Sequence, residues 1–196
     1  MTTHDHRHHH GNLRQALIDA GFALLSEGGR SALTLRQTAA RAGVSHAAPA
    51  HHFDGLPGLL TAIAAQAFAK FTAQMIAARD AAGLDPFARL NGICTGYIAF
   101  AKDHAGMFDL MFNARDLDRA DPDLQLQSFA AYEVLRDACQ PFATPERPGQ
   151  QVETAVWSLV HGYALLGFAT PRDYDRPFTQ TPDFPRLLCD LMQRSA

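Results

Sequence analysis

The chain has 196 residues and a formal net charge of −3, with 47% hydrophobic and 19% charged residues. This length fits one domain or a small head on a larger body. The composition excludes a globally disordered chain and a globally basic, histone-like protein. The 34 Ala and 22 Leu against 10 Val and Ile favour helices over sheet, so the predicted fold class is all-α.

The cysteines and the longest uncharged run indicate the compartment in which the protein functions. The three cysteines are far apart and form no CxxC pair, which predicts free thiols in a reducing cytoplasm. The longest uncharged run, residues 154–171, contains Ser, His and Gly, and therefore favours a buried helix over a membrane span. We expect a cytoplasmic protein with no membrane segment, no bound cofactor and no metal site.

The N-terminal part begins with a polar, histidine-rich segment. Residues 1–11 are predicted to be a disordered tail, with loose metal binding as the alternative. From Leu13 onwards, apolar residues recur at steps of three and four, which predicts a first helix that stops at Gly28. Thr34 and Gln37 form a T-x-x-Q capping box that starts a short second helix.

A tight turn follows the second helix, which is predicted to end at about Arg41. Gly43 can adopt the left-handed conformation that this turn needs. Ser45 can cap a third short helix that runs to about His52. Three short helices joined in this way form a helix-turn-helix, whose last helix can enter a DNA major groove.

The remaining sequence predicts a helical body. Helices are expected at about 56–82, 86–102, 106–114, 121–139, 150–169 and 183–194. The predicted domains are the tail 1–11, a helix-turn-helix domain 12–58 and a body 59–196.

Residues 34–60, TLRQTAARAGVSHAAPAHHFDGLPGLL, resemble the DNA-binding head of TetR-family transcriptional regulators. The match includes Thr34 at a helix start, Gly43-Val44-Ser45 in the turn and the His51-His52-Phe53 run. In the body, HAGMFDLMF (104–112) and Trp157 with His161-Gly162 are similar to segments of one TetR-like branch with a W-x-x-x-H-G signature. The resemblance implies a three-helix helix-turn-helix head on a larger C-terminal helical ligand-binding and dimerisation body.

The resemblance also implies which residues face DNA. The expected set is Thr34, Arg36, Gln37, Ser45, His46, Ala47, Ala50, His51 and His52. Thr34 and Ser45 are expected to contact phosphates at helix N-termini. Arg36, Gln37, His46 and His51 are expected to reach base edges.

Two positions depart from the family pattern. Ala50 stands where relatives usually have a phosphate-binding Tyr, and Leu56 stands where they usually have a Lys. We therefore expect DNA binding that is weaker, or more salt-sensitive, than that of relatives. Pro49 lies inside the third helix and predicts a short or tightened start.

The body is rich in aromatic and Met side chains, which form either a plain core or an apolar effector cavity. Composition leaves both open, and the resemblance favours a cavity. His104 and His161 are candidates for its polar contacts. The expected pocket residues are Tyr97, Phe100, Met107, Phe108, Met111, Phe112, Tyr132, Trp157 and His161.

The helix at 150–169 is apolar nearly all round, so it must be covered on two sides. One side can meet its own body and the other a second subunit, with the last helix completing a four-helix interface. The expected dimer residues are Val152, Val156, Leu159, Tyr163, Leu166, Phe184, Leu187, Leu188 and Leu191.

The leading hypothesis is a homodimeric repressor that a small, apolar effector releases from a palindromic operator. A second hypothesis is a helical dimer of the same fold that has lost operator binding and acts through its pocket or a protein partner. An enzyme is not predicted, because none of the four Glu has a His three residues later and no phosphate loop or nucleophile elbow is present.

Overall fold

The computed structural model describes residues 6–166 and 181–193, and the regular elements in these ranges are all helical, as predicted. The α-helices are α1 (His6–Gly28), α2 (Leu35–Arg41), α3 (Gly55–Ala81), α4 (Pro86–Asp103), α5 (Ala105–Asn113), α6 (Pro122–Cys139), α7 (Gly149–Leu165) and α8 (Phe184–Gln193). Short 3₁₀ turns cover Arg30–Ala32, Ala48–His51 and Gln140–Phe142.

The first residue of α1 differs from the prediction. This helix begins at His6 rather than near Leu13, so it includes part of the predicted 1–11 tail. Residues 1–5 of the predicted tail and 167–169 of the body helix predicted at 150–169 lie outside the described residues.

The chain packs as two compact units. The first comprises the residues up to 68 together with 106–127, and the second comprises 69–105 and the residues from 128 onwards. The core of the first unit is aliphatic, and its fully buried side chains include Leu17, Ile18, Leu33, Leu59 and Ile63. These side chains come from α1, α3 and the segment before α2, so they hold the predicted three-helix head together.

The compact units do not follow the predicted boundary between residues 58 and 59, because α5 packs with the head. A side chain at Gly106 would lie 2.6 Å from the backbone oxygen of Leu25, so only glycine allows α5 to approach α1 this closely. The hydroxyl of Thr61 accepts a hydrogen bond from the backbone N–H of Asp118 at 2.9 Å. Asp116 also forms an ion pair with Arg30. These contacts fix 106–127 in the first unit.

The second unit depends on close packing between α3 and α4. A Cβ at Gly92 would lie 2.7 Å from the backbone oxygen of Ala78, and one at Gly96 would lie 2.9 Å from the backbone oxygen of Gln74. Aromatic rings pack beside this contact, with Phe71 and Phe100 at 5.2 Å between centroids. The four-residue glycine spacing therefore places two helix backbones in direct contact.

One helix among the described residues, α3, is long and apolar enough to cross a membrane. Its most apolar window has a mean hydropathy of 1.3 and is 56% buried inside the protein. A core helix of a water-soluble protein has the same properties.

We expect Gly96→Ala to lower the free energy of unfolding by about 1–3 kcal/mol, because the added methyl group meets backbone rather than a movable side chain. Gly149→Ala is the matched control, since its Cβ would have no neighbour closer than 3.6 Å. The control should be neutral or slightly stabilising. Urea unfolding at one fixed protein concentration measures both, and equal midpoints would contradict the role of Gly96.

Candidate functional site

The start of α2 is held by a side-chain cap. The hydroxyl of Thr34 accepts a hydrogen bond from the backbone N–H of Gln37 at 3.1 Å, as the capping box predicts. The same hydroxyl donates to the side-chain oxygen of Gln37 at 2.8 Å. Thr34 and Gln37, both expected at DNA, are therefore linked to each other and both exposed.

The turn after α2 has the predicted left-handed glycine. Gly43 has φ of 69°, and its N–H donates to the oxygen of Ala40 at 3.2 Å. The N–H of Val44 donates to the oxygen of Ala39 at 3.0 Å, which completes the two-bond helix end that glycine favours. This turn sets the direction of the segment that follows.

The third element is not the predicted α-helix from Ser45 to His52. It is a turn followed by a 3₁₀ helix over Ala48–His51, and no side chain caps it, so the predicted cap by Ser45 is wrong. Pro49 explains the difference, because the first α-type bond to the oxygen of Ser45 would need its missing N–H. The N–H of Ala48 bonds to that oxygen instead, at 3.0 Å, in the tighter three-residue pattern.

The residues expected at DNA form an exposed surface. Eight of the nine are exposed and His52 is half-buried: Thr34, Arg36, Gln37, Ser45, His46, Ala47, Ala50, His51 and His52. Below them Phe53 is buried, with the guanidinium of Arg14 over its ring at 5.4 Å. We call this surface of nine residues the head face.

The head face has little permanent positive charge. Arg41, at the end of α2, makes two hydrogen bonds with Glu27, which lower the pKa of the Glu27 carboxyl and raise that of Arg41. Arg36 makes no hydrogen bond or ion pair with the side chains that the structure describes, so its guanidinium is available. Ala50 is exposed and Leu56 is half-buried, and neither supplies a hydrogen-bond donor to a phosphate from its side chain.

The predicted effector residues fall in both units. Met107, Phe108 and Met111 are buried and Phe112 is half-buried in the first unit. The second unit contains buried Tyr97 and Phe100, half-buried Tyr132 and His161, and Trp157, which is 40% exposed. His104 is half-buried and its ring lies 4.8 Å from that of Phe100.

In the second unit, polar side chains of α7 meet two tyrosines. His161 Nδ1 lies 2.6 Å from the hydroxyl of Tyr97, and burial raises the pKa of that phenol and lowers the pKa of His161. About two turns away on α7, the hydroxyl of Tyr132 donates to Glu153, a carboxylate that is only 7% exposed. The sequence prediction missed Glu153, although its four-residue spacing from Trp157 placed it on the same helix face.

The predicted dimer residues divide between the core and the surface. Val152, Val156 and Leu188 have no exposed surface and Phe184 is 5% exposed, so these four side chains pack inside the chain, and the subunit interface stays a prediction. A helix that is apolar all round gives no signal in its own sequence of which side faces inward. Leu159, Leu187 and Leu191 are half-buried, Leu166 is 58% exposed, and Tyr163 is buried with its hydroxyl bonded to the oxygen of Pro182.

The outward side of α7 carries small and polar residues. An open hollow of about 500 Å³ is lined by Pro148, Gln150, Gln151, Thr154, Ala155 and Ser158. A Cβ at Gly162 would have no neighbour within 4 Å among the residues that the structure describes. No described side chain therefore blocks a close approach to this side of α7.

Burial of His161 predicts a pH-dependent stability. Because its pKa is lower in the folded than in the unfolded chain, the unfolded chain binds more protons below about pH 6.5. The free energy of unfolding should therefore decrease as the pH falls from 7.5 to 5.5. We expect the decrease to be smaller in His161→Gln, measured by urea unfolding at both pH values, and an equal decrease in both proteins would contradict the effect.

Comparisons with known proteins agree with this geometry. The family described as "Bacterial regulatory proteins, tetR family" matches residues 17–63, and "Tetracyclin repressor-like, C-terminal domain" matches residues 90–183. No curated protein sequence matches the chain. The W-x-x-x-H-G branch stays a prediction.

Several solved structures share the fold. A protein of unknown function from Rhodococcus sp. RHA1 is 24% identical with a TM-score of 0.75, covering 97% of this chain and 96% of that one. The TetR family transcriptional regulator PfmR from Thermus thermophilus is 19% identical with a TM-score of 0.59, covering 91% and 97%. The multidrug binding protein EbrR, in complex with imidazole, is 20% identical with a TM-score of 0.59, covering 91% and 93%.

The two family matches cover most of the chain, and the capped α2, the glycine turn and the exposed head face lie within the first of them. The chain belongs to the TetR family of transcriptional regulators, with an N-terminal helix-turn-helix domain and a C-terminal ligand-binding domain.

Proposed function

We propose that the protein is a cytoplasmic, homodimeric repressor that binds a palindromic operator and leaves it when a small, apolar effector binds the C-terminal domain. The observation that carries this proposal is the head face, whose polar side chains are exposed on a capped helix and the following turn. A polar surface of this kind at a helix-turn-helix is suited to the major groove of DNA.

Within the head face, Arg36 is the side chain best suited to read a base. Its guanidinium can donate two hydrogen bonds to O6 and N7 of guanine. Gln37 can still pair with adenine. Its side-chain oxygen accepts from Thr34 with one lone pair, and this hydrogen bond does not use the second lone pair or the two amide hydrogens. Thr34 and Ser45 are assigned to phosphates.

The affinity for DNA should be lower than that of relatives. Each phosphate contact adds to the affinity through counterion release, and Ala50 and Leu56 supply none. With fewer such contacts, the affinity for DNA also decreases less steeply as the salt concentration rises. Of the two expectations drawn from the sequence, only the weaker affinity follows physically, and the greater salt sensitivity does not.

Dimerisation is supported by the outward side of α7. Thr154, Ser158 and Gly162 are spaced by four residues and leave room for a second helix. A twofold dimer carries two head faces, which is the number that a palindromic operator needs. Effector binding would then act by favouring an arrangement in which the two heads no longer fit the operator.

The effector assignment rests on the aromatic and Met side chains of the C-terminal domain and on the family. The similar protein EbrR is a multidrug binding protein. By analogy of fold alone, we assign this chain a small organic ligand of mainly apolar surface.

A second candidate function is a dimer of this fold without operator binding, acting through its ligand or a protein partner. Ala50 and Leu56 favour this second candidate, because neither side chain can donate a hydrogen bond to a DNA phosphate. The DNA titration below distinguishes the two candidates.

We expect Arg36→Ala to weaken binding of the DNA upstream of its own coding region by roughly tenfold or more, which corresponds to about 1–3 kcal/mol of base recognition. Arg89→Ala is the matched control, because Arg89 lies in the second unit and contacts Asp80 and the oxygen of Gly83. Fluorescence polarisation of a labelled duplex measures both. Wild-type binding no tighter than to a shuffled duplex would reject the repressor and leave the second candidate.

We expect Thr154→Asp to convert the dimer to monomers at micromolar concentration, because two carboxylates would be brought together across the twofold axis. Thr95→Asp on α4 is a close control, since both threonines are exposed and each donates to the carbonyl four residues earlier at 2.8 Å. Light scattering coupled to size-exclusion chromatography gives the mass. Two equally dimeric variants would remove α7 from the interface.

A further inference from the structure

One face of α7 carries three side chains spaced by four residues, and two tyrosines from other helices meet them. Glu153, Trp157 and His161 lie on this face. The hydroxyl of Tyr132 on α6 contacts Glu153 at 2.5 Å, and the hydroxyl of Tyr97 on α4 contacts His161 at 2.6 Å. Both contacts lie within the second unit.

The carboxylate of Glu153 is buried without a positive partner. It is 7% exposed, and none of the basic side chains that the structure describes lies within ion-pair distance of it. Its Oε2 accepts from Tyr132, and its Oε1 has only a long contact of 3.5 Å with the amide of Gln140. Buried charges in proteins are usually paired, so one negative charge here is left for a ligand.

Aromatic rings lie beside this carboxylate and are open to solvent. The ring of Tyr132 lies 5.9 Å from that of Trp157 and 6.2 Å from that of Phe129. Trp157 is 40% exposed and Phe129 is 54% exposed, and neighbouring exposed apolar side chains are typical of interaction sites. The faces of aromatic rings attract cations, above all those of Trp and Tyr.

We propose that Glu153, Tyr132, Trp157 and Phe129 form a binding site for an organic cation with an apolar tail. The ammonium group pairs with the carboxylate against the Tyr132 and Trp157 rings, and the tail covers Phe129. A neutral ligand of the same shape leaves Glu153 unpaired, and an anion is repelled by it. The role of this cation as the effector rests on the proposed function, whereas the site itself does not.

The test uses three ligands with the same eight-carbon tail: octyltrimethylammonium, octan-1-ol and octanoate. Trp157 is the single tryptophan of the chain, so its fluorescence in the full-length protein reports directly on the site. We expect octyltrimethylammonium to bind at least tenfold more tightly than octan-1-ol, and octanoate to bind most weakly.

The charge of Glu153 is tested by Glu153→Gln, which keeps the shape and removes the charge. We expect this variant to bind octyltrimethylammonium at least tenfold more weakly and to bind octan-1-ol within twofold of wild type. Glu133→Gln is the matched control, because Glu133 lies on α6 with an exposed carboxylate that pairs with Arg136. The control should retain the wild-type preference for the cation.

Three results would overturn the inference. The first is equal binding of the three ligands by the wild-type chain, a comparison that remains decisive if Glu153→Gln folds poorly. The second is a cation preference that survives Glu153→Gln. The third is a Trp157 signal that responds to protein concentration, disappears in Thr154→Asp and ignores all three ligands, which would assign this face to a second copy of the chain.

Cation binding at Glu153 and DNA binding at the head face are measured separately, so either can fail without the other. Loss of the cation site leaves Arg36-dependent DNA binding unchanged, whereas a chain that binds no DNA can still show a cation preference that depends on Glu153.

Discussion

The missing N–H of Pro49 is the constraint on which the shape of the head face depends. An α-helix that started after Ser45 would make its first internal hydrogen bond through that group, and the chain forms a 3₁₀ turn in its place. In a 3₁₀ turn, side chains three residues apart lie in line, whereas in an α-helix they are rotated around the axis. Pro49 therefore determines which of the exposed side chains from Ser45 to His51 point the same way. Pro49 is itself buried, and its carbonyl accepts a hydrogen bond from the N–H of the buried Phe53 at 2.9 Å.

Features set by neighbouring residues could be predicted from the sequence. The cap of α2 by Thr34, the left-handed Gly43 and the start of α4 at Asp85 each depend on hydrogen bonds within a few residues. The inward side of α7 could not be predicted, because Val152 and Trp157 are both apolar and only distant packing distinguishes a fully buried side chain from a half-exposed one. Burial of Glu153 was missed for the same reason, since its phenol partner comes from another helix, 21 residues earlier.

Three sides of helix α7 have different surroundings. Val152, Val156 and Val160 are fully buried and stabilise the second unit, while Thr154 and Ser158 line an open hollow on the outward side. Between these sides lies the row that contains Glu153 and Trp157. A ligand that contacts this row touches the same rigid helix that we assign to the subunit interface. On these assignments, a ligand and a second subunit would contact neighbouring sides of one helix, and a shift of that helix at the interface would affect both.

On the proposed function, the low positive charge of the head face would make release by a ligand easier. An effector can shift the protein away from DNA only by its difference in affinity for the two arrangements. Each tenfold of DNA affinity that must be overcome requires about 1.4 kcal/mol of that difference. Ala50 and Leu56 offer no hydrogen-bond donor from their side chains, and Arg41 is paired with Glu27. On the proposed function, a small ligand with one charged contact and a few aromatic contacts would then suffice for release, whereas a more basic head would need a ligand with a larger preference.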